Sequence, residues 1–181
     1  MILTDNILSE QLSVGEREII RLDVEWPIIA RFQCTNLKCQ TIPSNVAYLV
    51  FNSGSTGIPK AAVIEHRSVI ELMYWAKDEF GLATLSGVLA SSSICFDMSI
   101  FELYAPLSWG GTVIIVDDIL QLRNTEGSEK ISLLSTVPSA LCTVAELGWV
   151  PANTNAALLA GEPLSRQITT RIFNSTKLEK I

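Results

Sequence analysis

The chain has 181 residues, of which 48% are hydrophobic and 18% are charged, and its formal net charge is −6. The surplus of acidic residues disfavours a nucleic-acid-binding protein, because phosphate backbones are bound by clustered Lys and Arg. No apolar stretch approaches the roughly 20 residues of a membrane-spanning helix. The N-terminal residues lack the basic start and apolar middle of a signal peptide, so we expect a cytoplasmic protein with no nucleic-acid or membrane partner.

Five short apolar runs rich in β-branched residues predict buried strands at residues 46–51, 88–94, 112–116, 131–137 and 157–160. Their apolar content is nearly continuous, which is typical of a parallel sheet with helices on both faces. Between the strands, an apolar period predicts a helix over residues 67–80 that ends at Gly81. The alternation of strands and helices predicts an α/β fold with a mostly parallel sheet.

Three further helices are predicted from capping residues that precede apolar stripes. Asp97 or Ser99 could cap the first of them, and Ser99 with Glu102 fits a capping box. Ser139 and Ser165 could cap the other two. The four cysteines and the single histidine predict no metal site, because a zinc site needs ligands that converge from several segments.

Both ends of the chain suggest an incomplete domain. Ile2–Thr4 resembles the close of a strand with nothing before it, and the chain stops at Lys180 and Ile181, where another strand would begin. We therefore expect residues 1–181 to be part of one larger domain, truncated at both ends.

The segment 52–60 carries two Gly, two Ser, one Thr, one Pro and one Lys directly after a predicted strand. This composition turns backbone N–H groups and hydroxyls toward an anion, so it is typical of a phosphate-binding loop. It is not a Walker loop, because Pro59 precedes Lys60 and Ala61 follows it. A flexible hairpin turn is the alternative interpretation.

Two other strand ends could carry chemistry. Asp97 lies between Phe96 and an apolar helix, where it could cap the helix or pair with the ammonium group of a ligand. If Ser99 is the cap, the Asp97 carboxylate is free for a ligand. Gly161 follows the fifth strand and could either allow a flat ligand to approach the backbone or form an ordinary turn.

In chain order, four segments resemble the adenylation domains of nonribosomal peptide synthetases, within the larger superfamily of adenylate-forming enzymes. Residues 47–60, Ala-Tyr-Leu-Val-Phe-Asn-Ser-Gly-Ser-Thr-Gly-Ile-Pro-Lys, are similar to the family's Y-x-x-Y-T-S-G-S-T-G-x-P-K-G signature, with Asn52 in place of Thr and Ala61 in place of Gly. Residues 96–102, Phe-Asp-Met-Ser-Ile-Phe-Glu, are similar to its F-D-x-S-x-x-E segment. Residues 136–139 and 160–164 match the remaining two motifs.

The resemblance implies a fragment of the large N-terminal domain of such an enzyme and a role for each motif. Lys60 and Phe96 would be the catalytic residues, and Phe96 would lie beside the substrate carboxylate. Asp97 would bind the α-ammonium of an amino acid, and Gly161 and Glu162 would lie near the adenine. The phosphates of ATP would be bound by Ser53, Gly54, Ser55, Thr56, Gly57 and Lys60. The pocket for the amino-acid side chain would be lined by Met98, Phe101, Thr136, Leu158 and Ala160, whose mainly apolar character favours an uncharged substrate.

By the same resemblance, the reaction would use ATP and Mg²⁺ to form an aminoacyl-adenylate and would load it onto the phosphopantetheine thiol of a carrier domain. The family's Y-G-P-T-E segment, its ribose-binding Asp and its C-terminal lid domain with a catalytic Lys do not occur in residues 1–181. We therefore expect the fragment alone to be inactive. The alternatives are a fragment of an acyl-CoA ligase, against which Asp97 argues, and a non-catalytic product that retains some ATP binding.

Overall fold

The structure is a computed structural model that describes residues 1–13, 15, 17–52 and 59–181. The chain forms two compact units, Met1–Gln40 and Thr41–Ile181. None of the helices in these described parts combines the length and apolar character that crossing a bilayer requires.

The first unit contains two short parallel strands and two helices. Its elements are β1 (Ile2–Thr4), α1 (Asn6–Ser9), β2 (Ile19–Arg21) and α2 (Leu22–Ile29). The carboxylate of Asp5 caps α1 by accepting from the amide of Leu8 at 2.7 Å. Asp23, at the start of α2, accepts from the amide of Asn6 at 3.0 Å. The sequence predicts the strand at β1 but neither β2 nor α2, because each is too short to show a clear period.

The second unit begins with a hairpin formed by β3 (Val46–Asn52) and β4 (Lys60–Glu65). The strands are antiparallel, with Asn52 opposite Lys60. The predicted strand over residues 46–51 is confirmed, but its expected burial and its expected place in the parallel sheet are wrong, since Val46 and Leu49 are exposed. The chain reverses direction between these strands, so β3 pairs with its neighbour in sequence.

A four-stranded parallel sheet forms the centre of the second unit. Its strands are β5 (Gly87–Ala90), β6 (Thr112–Ile115), β7 (Leu133–Thr136) and β8 (Ala156–Leu159), in the spatial order β6-β5-β7-β8. This arrangement confirms the predicted α/β class. β5 ends at Ala90, before the predicted residue 94, so residues 91–97 form a loop that leaves the sheet at its carboxyl edge.

Helices cover both faces of this sheet. Helices α3 (His66–Thr84) and α4 (Met98–Ser108) contribute Met73, Ala76, Phe101 and Ala105 to the apolar cluster on one face. Helices α5 (Pro138–Glu146) and α6 (Arg166–Ser175), with a 3₁₀ helix at Ile119–Asn124, pack against the other face. Because both faces are buried, the strands have the continuous apolar runs seen in the sequence.

The predicted start of a helix at Ser165 is confirmed, whereas the helix predicted to end at Gly81 continues across a kink to Thr84. Gly81 has φ 74° and interrupts α3, since this left-handed conformation is readily adopted only by glycine. At the start of α6, the hydroxyl of Ser165 accepts from the amide of Ile168 at 3.3 Å.

Candidate functional site

A cleft of about 420 Å³ opens at the carboxyl edge of the parallel sheet. Ligands gather at this edge in open α/β sheets, because the connecting loops leave a crevice there. The carboxyl end of each of the four strands, or the chain that follows it, contributes to the lining: Ser91–Ser93 and Phe96–Met98 after β5, Asp117–Ile119 after β6, Thr136 and Val137 at the end of β7, and Ala160 and Gly161 after β8.

The cleft brings together six of the residues predicted from the sequence. They are Phe96, Asp97, Met98, Thr136, Ala160 and Gly161. Their roles toward a ligand stay predictions. The lining residues Ser91–Ser93, Asp117–Ile119 and Val137 are not among the predicted site residues, although the rule that the ends of parallel strands meet at one edge could have indicated them.

Asp97 immediately precedes α4, but its carboxylate does not cap the helix. The residue has helical φ and ψ of −63° and −25°, and its side chain accepts no hydrogen bond from the first turn. Ser99 does not cap the helix through its side chain either, because its hydroxyl donates to the carbonyl of Phe96 at 2.6 Å. Both capping interpretations are therefore wrong, and Asp97 is an exposed residue of the cleft lining whose side chain binds no helix amide.

Tyr48, on β3, lies within the electrostatic reach of Asp97. Partial burial raises the pKa of the Tyr48 phenol above its ordinary value of 10.0, and the negative charge of Asp97 raises it further. Both effects disfavour the phenolate, so Tyr48 is a neutral hydroxyl near neutral pH.

Glu102, on α4, turns back toward the loop that lines the cleft. Its side chain is 1% exposed. One carboxylate oxygen accepts from the amides of Ser91 at 3.1 Å and Ser92 at 2.9 Å. The other accepts from the Ser92 hydroxyl at 2.6 Å. The predicted capping box is wrong, because the partners of Glu102 lie in the preceding loop and not at the start of its own helix.

A second carboxylate, in the loop after β8, connects that loop to the first turn of α5. Glu162 accepts from the amide of Ser139 at 3.0 Å and from its hydroxyl at 2.9 Å. Ser139 is therefore bound by Glu162, and its predicted role as the side-chain cap of α5 is wrong. The neighbouring Gly161 has φ 83°, and a Cβ atom there would lie 3.3 Å from Cγ1 of Val137. This turn therefore favours glycine on both conformational and steric grounds.

The remaining predicted site residues lie away from the cleft lining or outside the described residues. Phe101 is 2% exposed and packs in the core, with its ring centroid 6.0 Å from that of Phe80. Leu158 is half-buried against the same cluster. Lys60 is exposed at the start of β4. The predicted phosphate-binding residues Ser53, Gly54, Ser55, Thr56 and Gly57 lie outside the described residues.

Ser135, which the sequence prediction passes over, lies opposite Leu158 in the register of β7 and β8. Its side chain is fully buried, and its hydroxyl has no hydrogen-bond partner among the described residues. An unpaired polar atom in an interior is unusual, since most buried polar groups are hydrogen-bonded.

The side chains around the cleft do not fit a resident metal ion. Among residues 1–13, 15, 17–52 and 59–181, no group of three or more His, Cys, Asp or Glu side chains could hold one. Asp117 and Asp118 line the cleft, but an oxygen of Asp118 already accepts from the amide of Leu120 at 2.8 Å. These side chains therefore do not form a protein cage for Mg²⁺.

The family model described as "AMP-binding enzyme" matches residues 5–179. A linear gramicidin synthase from Brevibacillus parabrevis is 36% identical over 181 residues, which is 100% of this chain and 4% of that protein. The AMB antimetabolite synthetase AmbB from Pseudomonas aeruginosa is 37% identical over 137 residues, 76% of this chain and 11% of its own length. The chain thus spans a small part of each relative. The predicted resemblance to adenylation domains of nonribosomal peptide synthetases is confirmed.

Solved structures show the same fold. The nonribosomal peptide synthetase FmoA3, in its AMPPNP-bound form, matches 98% of this chain with a TM-score of 0.82 and 20% identity, over 20% of that chain. The N-terminal subdomain of NpsA from Klebsiella oxytoca, solved with 3-hydroxyanthranilyl-AMSN, matches 98% of this chain with a TM-score of 0.79 and 17% identity, over 46% of that chain.

Proposed function

Because the chain belongs to the family of AMP-binding enzymes, we propose that it forms part of an adenylation domain that activates an amino acid with ATP. An oxygen of the amino-acid carboxylate attacks the α-phosphorus of ATP, and the bond to the leaving pyrophosphate breaks. The aminoacyl group then passes to a thiol of a carrier domain, and AMP leaves with the electron pair of the broken acyl–phosphate bond.

The observation that carries this proposal is the position of Asp97. Asp97 lines the cleft, its side chain binds no helix amide, and it lies between Phe96 and Met98 immediately before α4. A desolvated, charge-assisted hydrogen bond to an ammonium group contributes about 1.5 to 3 kcal/mol. The site therefore fits a substrate that carries a carboxylate for activation and an ammonium for recognition.

The comparisons support the nucleotide and the class of reaction. The names of the similar proteins describe peptide and antimetabolite synthetases, and FmoA3 has also been solved with α-methyl-L-serine-AMP. We propose ATP as the co-substrate, with Mg²⁺ arriving on its phosphate oxygens, since the described side chains provide no cage for the ion. Ser53–Gly57 and Lys60 as phosphate ligands, the carrier-domain partner and a cytoplasmic location belong to the same proposal.

ATP–pyrophosphate exchange tests this function in the full-length protein with the twenty proteinogenic amino acids and a set of aryl and fatty acids. We expect exchange with one or a few amino acids. Replacing Asp97 with Asn should raise the KM for that amino acid about tenfold or more, as the loss of a charge-assisted bond implies. Asp78→Asn, on the exposed surface of α3, is the matched control and should behave as wild type.

Three outcomes would contradict the proposal in different ways. Exchange driven by aryl or fatty acids and indifferent to Asp97→Asn would favour an acyl-CoA ligase. Absence of exchange with every acid, while AMPPNP still binds in calorimetry, would favour a non-catalytic nucleotide-binding protein. Absence of both exchange and nucleotide binding would reject the function altogether.

A further inference from the structure

The loop that carries Phe96 and Asp97 is attached to α4 at both of its ends. Near its start, Glu102 accepts three hydrogen bonds from Ser91 and Ser92. Near its end, the hydroxyl of Ser99 donates to the carbonyl of Phe96 at 2.6 Å. Ser99 is 2% exposed, so both attachments originate from buried side chains on one helix.

Glu102 makes these contacts without a cationic partner. Its side chain is 1% exposed, and no salt bridge in the described parts of the chain involves it. Burying a carboxylate without an ion pair is costly unless hydrogen bonds offset the cost, and the three bonds from Ser91 and Ser92 do so here. The hydrogen bonds of Glu102 therefore go to the 91–97 loop, the part of the chain that carries Phe96 and Asp97.

The carboxylate orients the part of the loop that faces the ligand. Ser91–Ser93 line the cleft on one side of the irregular turn at residues 93–96, and Asp97 lines it on the other. Because both amides and the hydroxyl point at a single carboxylate, the backbone direction of Ser91 and Ser92 is set by Glu102. A change in that direction moves the chain that leads to Phe96 and Asp97.

We propose that Glu102 is a positioning residue, which holds the 91–97 loop so that Asp97 meets the ammonium group of the amino-acid substrate. This inference rests on the proposed function. Glu102 itself touches no substrate, since it is buried beneath the loop. Its effect should therefore appear in the binding of the amino acid and leave the binding of ATP nearly unchanged.

The test is ATP–pyrophosphate exchange by the full-length protein with the amino acid that the wild type activates best. Glu102→Gln keeps the shape of the side chain but replaces the charged acceptor of three hydrogen bonds with a neutral amide, whose N–H₂ group must face the Ser92 hydroxyl or a backbone amide. We expect the KM for the amino acid to rise about tenfold, with kcat and the KM for ATP within about threefold of wild type. A variant that only loses folded protein would lower kcat and leave both KM values unchanged.

Two further variants keep the proposal open to contradiction. Glu146→Gln alters an exposed carboxylate that pairs with Arg171, and it should leave both KM values at wild-type levels. If Glu102→Gln fails to fold, Glu102→Asp retains the charge with a shorter reach, and it should raise the KM for the amino acid by a smaller factor. A wild-type KM for the amino acid in the folded variant overturns the positioning role while the function stands. No exchange by the wild-type protein overturns both.

Discussion

Two carboxylates, one buried and one exposed, hold loops near the cleft by accepting hydrogen bonds from backbone amides and a serine hydroxyl. Glu102 is 1% exposed and accepts three hydrogen bonds from Ser91 and Ser92. Glu162 is exposed and accepts two from Ser139, in the first turn of α5. Neither takes part in a salt bridge among the described residues.

The difference lies in what replaces each carboxylate when it is removed. Water can reach the amide and hydroxyl of Ser139 after the loss of Glu162, so little free energy is lost beyond that of a helix cap. The amides of Ser91 and Ser92 are partly buried against Glu102, so water reaches them less readily, and the loss of Glu102 leaves donors without partners. Similar sets of hydrogen bonds can therefore have very different effects on stability.

The largest expected effect comes from truncating these two carboxylates. Glu102→Ala should lower the free energy of unfolding by about 3 kcal/mol, because it leaves three partly buried donors without an acceptor and a cavity in place of a buried side chain. Glu162→Ala should lower it by about 0.5 to 1 kcal/mol. Urea unfolding of both variants measures the difference, with Glu146→Ala as a surface control. Equal losses for Glu102→Ala and Glu162→Ala would contradict the comparison.

An intermediate effect is expected at Gly161, in the turn that Glu162 holds. Gly161→Ala requires φ 83° from a residue with a Cβ atom, and that atom lies 3.3 Å from Val137. We expect a loss of about 1 to 2 kcal/mol. Gly127→Ala is the matched control, because Gly127 has φ 80° but a Cβ atom there meets nothing within 4 Å.

The contact with Val137 should depend on Glu162. If Glu162 fixes the turn, Gly161→Ala should cost less in the Glu162→Ala background, where the turn can move away from Val137. Gly127→Ala should cost the same in both backgrounds. Identical losses for Gly161→Ala with and without Glu162 would show that the surface carboxylate does not hold the turn.

The sequence predicts the layers of the fold well, because burial on both faces of a parallel sheet demands continuous apolar runs. The strand predicted over residues 112–116 appears at Thr112–Ile115, and that over residues 157–160 at Ala156–Leu159. The place of the cleft can also be predicted, because the carboxyl ends of parallel strands meet at one edge of the sheet. Phe96, Asp97 and Gly161 come together there for this reason.

The long-range polar contacts could not be predicted from local patterns. Glu102 has the three-residue spacing from Ser99 that fits a capping box, yet it binds residues ten and eleven positions earlier. Glu162 and Ser139 are 23 positions apart.

The pairing of β3 with β4 is also hard to predict from local patterns, because a Gly- and Ser-rich connection is compatible with either a following helix or a returning strand. The phosphate-binding role of Ser53–Gly57 stays a prediction.

The smallest expected effect on the free energy of unfolding comes from two buried serines, which separate the effect of burial from that of hydrogen bonding. Ser132 and Ser135 are both buried and lie three residues apart. The Ser132 hydroxyl accepts from the amide of Gly87 at 3.0 Å and lies 2.8 Å from the carbonyl of Thr84, to which it can donate. The Ser135 hydroxyl has no partner among the described residues. If unmet hydrogen bonds determine the cost, removing these two hydroxyls should have opposite effects.

Ser135→Ala should therefore raise the free energy of unfolding by about 0.5 kcal/mol, because it removes a buried hydroxyl that gains nothing from its surroundings. Ser132→Ala should lower it by about 1 kcal/mol, since it leaves the Gly87 amide without an acceptor. Thermal unfolding measures both, at roughly 2 to 4 °C per kcal/mol for a chain of this size. If both variants lose stability equally, burial and not unmet hydrogen bonding decides the cost, and the same correction would apply to Glu102.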